Sequence, residues 1–322
     1  MADRYTYVPL IGPFIMIARC VPDILMEWRY RRIILAISAG LLLSTFTIVT
    51  RLQILHWHNS ITLFEHALDV TTQNLHAHNI LGVALAEQGK IEEAIAHYTK
   101  VLGIDPHDAE VNNNLGIALA EQGKIEEAIA HYTEALRIKP DFAKAHNNLG
   151  RILAYQGENQ EAIAHYTEAL RIDPNYIRAH KNLGRVLARQ GEIQEAIVHY
   201  TKALQIDPHD AEVHNNLGVV LTRQRRFQEA ITHFTEALRI KPDFAEIYIN
   251  LGNILVEEGK IEEAIPHYTK ALRIKPDFAE AHFSLGLAYL MMGNRSSALE
   301  GYKILERVNP DLANNLHRKL YR

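Results

Sequence analysis

AEVNNNLGIALAEQGKIEEAIAHYTEALRIKP, residues 109–140, reads as two helices and two stops. Val111, Leu115, Ala118 and Leu119 recur at the three-to-four spacing that puts apolar side chains on one buried stripe. Gly123 breaks that helix. A second stripe runs through Ile125, Ala128, Ile129, Tyr132, Ala135 and Leu136. Pro140 ends it, because Pro cannot continue a helix and restricts the residue before it. The spacing predicts helices over 111–122 and 125–138. Gly116, Ala128 and Ala135 are the small residues where packed helix backbones approach closely, and Tyr132 supplies bulk between neighbouring units.

This stretch is one copy of a longer pattern. Leu-Gly returns every 34 residues at Gly82, Gly116, Gly150, Gly184, Gly218, Gly252 and Gly286, and Pro returns in step from Pro106 to Pro310. Residues 84–99 and 118–133 are identical. A fixed period of this length means a stacked array, in which each unit buries its apolar face only against its neighbours. Leu149, Gly150, Ala162, Tyr166, Ala169 and Pro174 together resemble the tetratricopeptide repeat. The resemblance implies an all-α, right-handed α-solenoid of about seven helix-turn-helix units over 75–108, 109–142, 143–176, 177–210, 211–244, 245–278 and 279–310.

The departures from the family pattern are local. His146, Asn112 or Tyr248 stands where the family has Trp, and Arg225 replaces the helix-breaking Gly. Pro266 removes a backbone donor inside a second helix, a defect of up to ~3 kcal/mol that predicts a kink or soft spot. After Pro310, Leu312, Leu316 and Leu320 share one face backed by His317, Arg318, Lys319 and Arg322. That pattern predicts a capping helix over 311–322, which covers the last apolar face of a solenoid.

The first 55 residues differ in kind. Ile33 to Thr50 is 18 residues without a charge, long enough to span a hydrocarbon core. Residues 7–28 form a weaker second candidate, since Arg19 near the middle costs ~3 kcal/mol on insertion. Asp23 stands four residues on and offsets part of that cost. One or two transmembrane helices therefore precede the array. Arg29, Arg31 and Arg32 favour the cytoplasmic side, which places the array outside the cytoplasm, periplasmic or luminal. Residues 56–74 read as a junction helix or half repeat, with Phe64 and Ala67 in phase with the period.

ADRYTYVPLIGPF at 2–14, then Trp57-His58-Asn59-Ser60, Leu63-Phe64 and His66-Ala67-Leu68, carry a second resemblance. They are similar to the tail of membrane glycosyltransferases of the polyprenyl-sugar-dependent class that are fused to such repeats. This implies an acceptor-presenting C-terminal part or fragment of such an enzyme. The many-spanning catalytic domain has no counterpart here, so no catalytic residue is assigned and the expected chain is not itself an enzyme.

Composition narrows the function further. The chain is 48% apolar with a net charge of −4, which argues against general nucleic-acid binding. A single Cys, Cys20, excludes an intrachain disulfide. The 18 His recur periodically, His97 to His267 in one row and His146, His180, His214 and His282 in another. No zinc-type spacing with a carboxylate occurs among them, so no metal or cofactor is expected. Half-buried structural His beside the Tyr row is the expectation, with packing that turns pH-sensitive below about pH 6.5.

What remains is binding. In tetratricopeptide arrays the first helices line the inner surface, and the family frame points Asn114, Asn148, Asn182, Asn216 and Asn250 towards it. An amide offers a donor and an acceptor, so such a row suits an extended peptide backbone; it resembles the asparagine ladder of nucleocytoplasmic N-acetylglucosamine transferases. Lys144, Arg151, Arg178, Lys181, Arg185, Arg189 and Arg223 make the centre basic, with Glu110, Glu121, Glu246, Glu257 and Glu280 towards the ends. This predicts a protein or peptide partner with an acidic extended segment. Arg185 and Glu246 stand where a carboxylate clamp requires Asn and Lys, which excludes that mode.

Overall fold

The computed structural model describes residues 37, 40–41, 43–48, 50–51, 59–71 and 74–321. They form helices and no strand. The candidate span 7–28 lies outside the described residues, as does part of 33–50. The described residues of the latter are helical, with Ile37, Leu41, Leu43, Phe46 and Ile48 exposed. Among the described residues, no helix is long and apolar enough to cross a membrane.

The chain divides into two compact units, residues 1–104 and 105–322. The first holds α1 (Ser60–Val70), α2 (Leu75–Glu87) and α3 (Ile91–Leu102). Asn59 and Asn74 cap α1 and α2, their side chains accepting from the backbone N–H groups of Thr62 and Ala77 at 2.9 and 3.0 Å. α2 and α3 form a helix pair around Leu81, Leu85, Ala94 and Tyr98.

The second unit holds six helix pairs and a closing helix. The pairs are α4 (Ala109–Glu121) with α5 (Ile125–Ile138), α6 (Ala143–Gln156) with α7 (Asn159–Ile172), and α8 (Ile177–Gln190) with α9 (Ile193–Ile206). They continue with α10 (Ala211–Arg223) and α11 (Phe227–Ile240), α12 (Ala245–Glu257) and α13 (Ile261–Ile274), and α14 (Ala279–Met291) and α15 (Arg295–Val308). The last helix is α16 (Pro310–Leu320). Each second helix packs on its partner and on the first helix of the next pair, the arrangement of an α-solenoid.

One contact recurs through the array. A methyl group on Gly116 would meet the Tyr132 ring at 2.7 Å, and one on Gly218 the Phe234 ring at 2.6 Å. The glycine row therefore makes room for an aromatic ring of its own unit, and at Gly150 also for the Ala162 backbone carbonyl, 3.2 Å from a would-be methyl group. Those rings are fully buried, and the alanines at 128, 162, 196, 230 and 264 are completely enclosed beside them. The short turn between paired helices needs left-handed backbone, supplied by Gly123 (φ 80), Gly157 (φ 91), Gly191 (φ 90) and Gly259 (φ 80). Arg225 adopts the same conformation with a side chain (φ 59).

Two sequence expectations change. α13 runs unbroken through Pro266 at the same 14-residue length as α5, α7, α9 and α11. The Ala264-to-Lys260 hydrogen bond at its N-terminal end is 3.3 Å, against 3.0–3.2 Å for the equivalent bonds at Ala94, Ala128, Ala162, Ala196, Ala230 and Ala298. In the last pair, the place over Gly286 is taken by Leu316 of α16, 2.7 Å from a would-be methyl group. Tyr302, which holds the aromatic position of that repeat, lies half-exposed and donates to Glu306 at 2.6 Å. α16 buries Ala313, Leu316 and Leu320 and exposes His317, Arg318 and Lys319.

Candidate functional site

The asparagines read as a binding row are partly engaged with one another. Asn148 Nδ2 donates to Asn113 Oδ1 of the preceding repeat at 2.9 Å, Asn182 Nδ2 to Asn147 Oδ1 at 3.0 Å, and Asn250 Nδ2 to Asn215 Oδ1 at 3.0 Å. Asn113 and Asn147 are buried, and each also donates at 3.4 Å to the asparagine that follows it, Asn114 and Asn148. The row thus stitches first helix to first helix. An amide carries two N–H donors and two acceptor lone pairs, so part of each side chain's capacity still faces outward. Asn216 lacks the bond to the preceding repeat, since Lys181 stands where Asn113, Asn147 and Asn215 stand elsewhere.

The basic residues separate into two groups. Lys181 Nζ lies 2.8 Å from both Asp210 Oδ2, at the N-cap of α10, and Glu212 Oε2 in its first turn. Burial works against its charge, but the two carboxylates outweigh this and raise its pKa. Burial likewise opposes ionisation of Asp210, yet Lys181 and the backbone N–H groups of Val213 and Glu212 hold its pKa below the usual value. Arg223 Nη1 donates to the Ala188 carbonyl at 2.7 Å. These two cations, expected in the binding surface, are bonded between repeats.

The other group is not paired with carboxylates. Among the described residues, Arg151, Arg178, Arg185 and Arg189 form no ion pair, and all four are exposed. Arg185 Nη2 donates to Asn182 Oδ1 at 3.0 Å, a bond that leaves its charge uncompensated. Arg151, Arg185 and Arg189 line one recess of about 700 Å³ together with Glu121 and Tyr155. Arg151, Arg178, Lys181 and Arg185 line another of about 560 Å³ with Asn148 and Asn182. The two recesses share Ala120, Glu121, Arg151 and Arg185 and so form one trough along α4, α6 and α8. Lys144 is exposed and lines neither.

Tyr155 escaped the sequence reading. It is 83% exposed at the trough, at the repeat position occupied by Glu121, Arg189, Arg223 and Glu257 elsewhere. An aromatic among those charged residues was the available signal. Beneath the trough, burial pushes the Tyr132 and Tyr166 hydroxyls to about 12, with nearby arginines working the other way. The Tyr166 hydroxyl has no hydrogen-bond partner.

The histidines of the row from His97 to His267 are half-buried, as expected. Three row-one His meet a row-two His of their own repeat: His146 Nδ1 and His165 Nδ1 lie 2.9 Å apart, His180 and His199 3.0 Å, and His214 and His233 2.9 Å. His78 and His97 in the first unit repeat the contact at 2.8 Å. Among the described residues, no group of three or more His, Cys, Asp or Glu side chains is arranged to hold a metal ion.

Comparison with known proteins agrees with the fold. In solved structures, the chain is similar to the APC/C hetero-tetramer Cut9-Hcn1 at 22% identity and a TM-score of 0.64, covering 81% of this chain and 52% of that one. The chain thus spans about half the length of that relative. It is also similar to pilF of Pseudomonas aeruginosa (23% identity, TM-score 0.57, covering 67% and 99%) and to a tetratricopeptide repeat protein of Parabacteroides merdae (17%, 0.61, 78% and 100%). These likenesses show the fold alone. No curated protein matches the chain. A family model described as TPR repeat matches residues 82–123, and neither matching model describes a glycosyltransferase, so that resemblance stands on sequence only. Residues 105–307 match a second model, and by that match the chain belongs to the tetratricopeptide-repeat family described as Cilia and flagella-associated protein 70 C-terminal domain.

Proposed function

We propose that this chain is a scaffold that holds an extended protein segment rich in Asp and Glu in the trough along α4, α6 and α8. The observation that carries this reading is the sorting of cations. Lys181 and Arg223 are bonded internally, whereas Arg151, Arg185 and Arg189 line one recess without a paired carboxylate. Guanidiniums kept free at the cost of mutual repulsion suit carboxylates on a partner, which they engage in bidentate fashion. Asn148 and Asn182 line the adjoining recess, where their remaining donors and acceptors suit a peptide backbone. Tyr155 adds an exposed aromatic face for apolar parts of the same segment.

A fluorescent decapeptide of alternating Glu and Gly tests the reading against its Lys counterpart. The Glu peptide should bind, weaken as salt rises, and lose binding about a hundredfold in the Arg151→Glu, Arg185→Glu, Arg189→Glu variant. Equal binding by wild type and variant would remove the arginines from the site. The scaffold is further proposed to be membrane-tethered through residues 33–50, with the array outside the cytoplasm, on the uncharged run and the flanking Arg29, Arg31 and Arg32. Digestion of the array by protease added to sealed inside-out vesicles would count against that placement.

A further inference from the structure

The His pairs are built around a third member. His146 Nε2 lies 3.0 Å from the Pro140 carbonyl, His180 Nε2 3.1 Å from that of Pro174, and His214 Nε2 3.1 Å from that of Pro208. A carbonyl only accepts, so each of these Nε2 atoms carries a hydrogen. A neutral ring has one N–H, which leaves Nδ1 of His146, His180 and His214 as a bare acceptor. The facing Nδ1 of His165, His199 and His233 must then be the donor. Each unit of three ties together the loop from the preceding repeat, the first helix and the second helix.

Repeat two shows the same wiring with an unambiguous side chain. Asn112 Nδ2 donates to the Pro106 carbonyl at 3.2 Å, and Asn112 Oδ1 lies 2.9 Å from His131 Nδ1. An amide oxygen accepts only, so His131 is the Nδ1–H tautomer. Asn112 thus occupies the place of the first His and performs both of its roles.

We propose that the His146–His165, His180–His199 and His214–His233 contacts are proton-operated fasteners, each accepting one proton with its shared hydrogen bond intact and a second only by separating. The first proton adds to the unused Nε2 of His165, His199 or His233, and the Nδ1–H bond becomes charge-assisted. The second must land on the Nδ1 of His146, His180 or His214. Two N–H hydrogens then occupy a gap of 2.9–3.0 Å, between two positive rings whose centroids are 5.2 Å apart. The loop, first helix and second helix of that repeat come apart.

The charged surroundings do not remove the conflict. Glu168 faces the His146 pair, Asp173 and Lys202 the His180 pair, and Glu229 and Glu236 the His214 pair. The carboxylates favour the first proton, but none accepts a hydrogen bond from a paired Nδ1. Burial lowers the pKa of His165, His180, His199 and His233, that of His199 to about 4. As pH falls through ~6.5 the unfolded chain takes up these protons first, while the folded array lags to its own lower values. Across that window the unfolded state holds more protons, so stability falls with falling pH and is level above ~6.5.

Two measurements on the full chain test the proposal. Nitrogen-15 spectra of the histidine rings at pH 7.5 should show Nε2–H tautomers for His146, His180 and His214 and Nδ1–H tautomers for His165, His199 and His233; Nε2–H at the latter three overturns the wiring. Acid unfolding followed by helical circular dichroism then compares wild type with the His146→Asn, His180→Asn, His214→Asn variant, which copies Asn112. That variant should unfold at lower pH and take up about three fewer protons on unfolding, one per replaced ring. An unchanged midpoint and proton uptake would sink the proposal. If the triple variant does not fold, Asn112→His decides in the opposite sense: it should add a proton and raise the midpoint, and no shift counts against the fasteners.

Discussion

Between α10 and α11 a long side chain occupies backbone that a glycine occupies in the other repeats. Arg225 sits at φ 59, in the left-handed region that costs a residue with a Cβ ~1–2 kcal/mol. Its guanidinium lies 5.8 Å from the Phe227 ring, a cation–π contact that offsets some of the strain. Replacement by Gly removes the strain but forfeits that contact and adds freedom to the unfolded chain. The balance favours Gly by about 0.5 kcal/mol, so Arg225→Gly should move the urea midpoint upward. A lower midpoint would mean that the ring contact outweighs the backbone. This position was legible in the sequence because it breaks a periodic glycine. The partners of Lys181 were not, because Asp210 and Glu212 lie at the start of α10 and only stacking of α10 on α8 brings them to 2.8 Å. The His–His contacts had a signal that went unread: the two rows keep a constant offset of 19 residues, and Asn112 replaces one member while its partner His131 stays.

At the scale of elements, the helices followed from periodicity and punctuation, as with α5, whose Ile125–Ile138 span is the one the spacing predicts. The kink expected at Pro266 fails because Ala264, Tyr268 and Ala271 are enclosed by neighbours. Packing holds the helical path despite the missing donor. The cost should therefore be present but unspent in geometry. Pro266→Ala restores one N–H and frees the carbonyl four residues back, worth up to ~3 kcal/mol in an ordinary helix interior. Pro also restricts the unfolded chain, which returns ~0.4–1 kcal/mol, so the net gain should be about 2 kcal/mol. Thermal unfolding of the two proteins checks this, and no gain would show that the surrounding repeats fully absorb the defect. The capping helix was likewise readable as amphipathic. That Leu316 takes over the place of Tyr302 was not, because nothing local says which side chain wins a shared gap.

Over the whole molecule, the period settled the architecture, while the trough was legible only in part. Residue type and phase pointed to Arg151, Arg185 and Arg189, but which cations stay free is decided by contacts between repeats. Those same contacts make stability a local property in residues 105–322. A repeat array gains its stability from each unit plus its interfaces with neighbours, so units with two well-packed neighbours open least often. α8 and α9 have such neighbours on both sides and bury Leu183, Val186, Leu187 and Tyr200. At the C-terminal end, α15 buries only Ala298 and Leu305, and Met291 and Met292 beside it are exposed. Native-state hydrogen exchange should then show a gradient, with amides of residues 177–206 protected at least ~1–2 kcal/mol more than those of 295–320. Leu316→Ala sharpens the test, since it empties the gap above Gly286 and should cost ~2–5 kcal/mol at that end. Its effect should appear in the amides of α14, α15 and α16 and leave those of α8 and α9 unchanged, because one-dimensional coupling decays across intervening repeats. Equal protection throughout, lowered uniformly by Leu316→Ala, would instead mean that residues 105–322 open only as a single cooperative block.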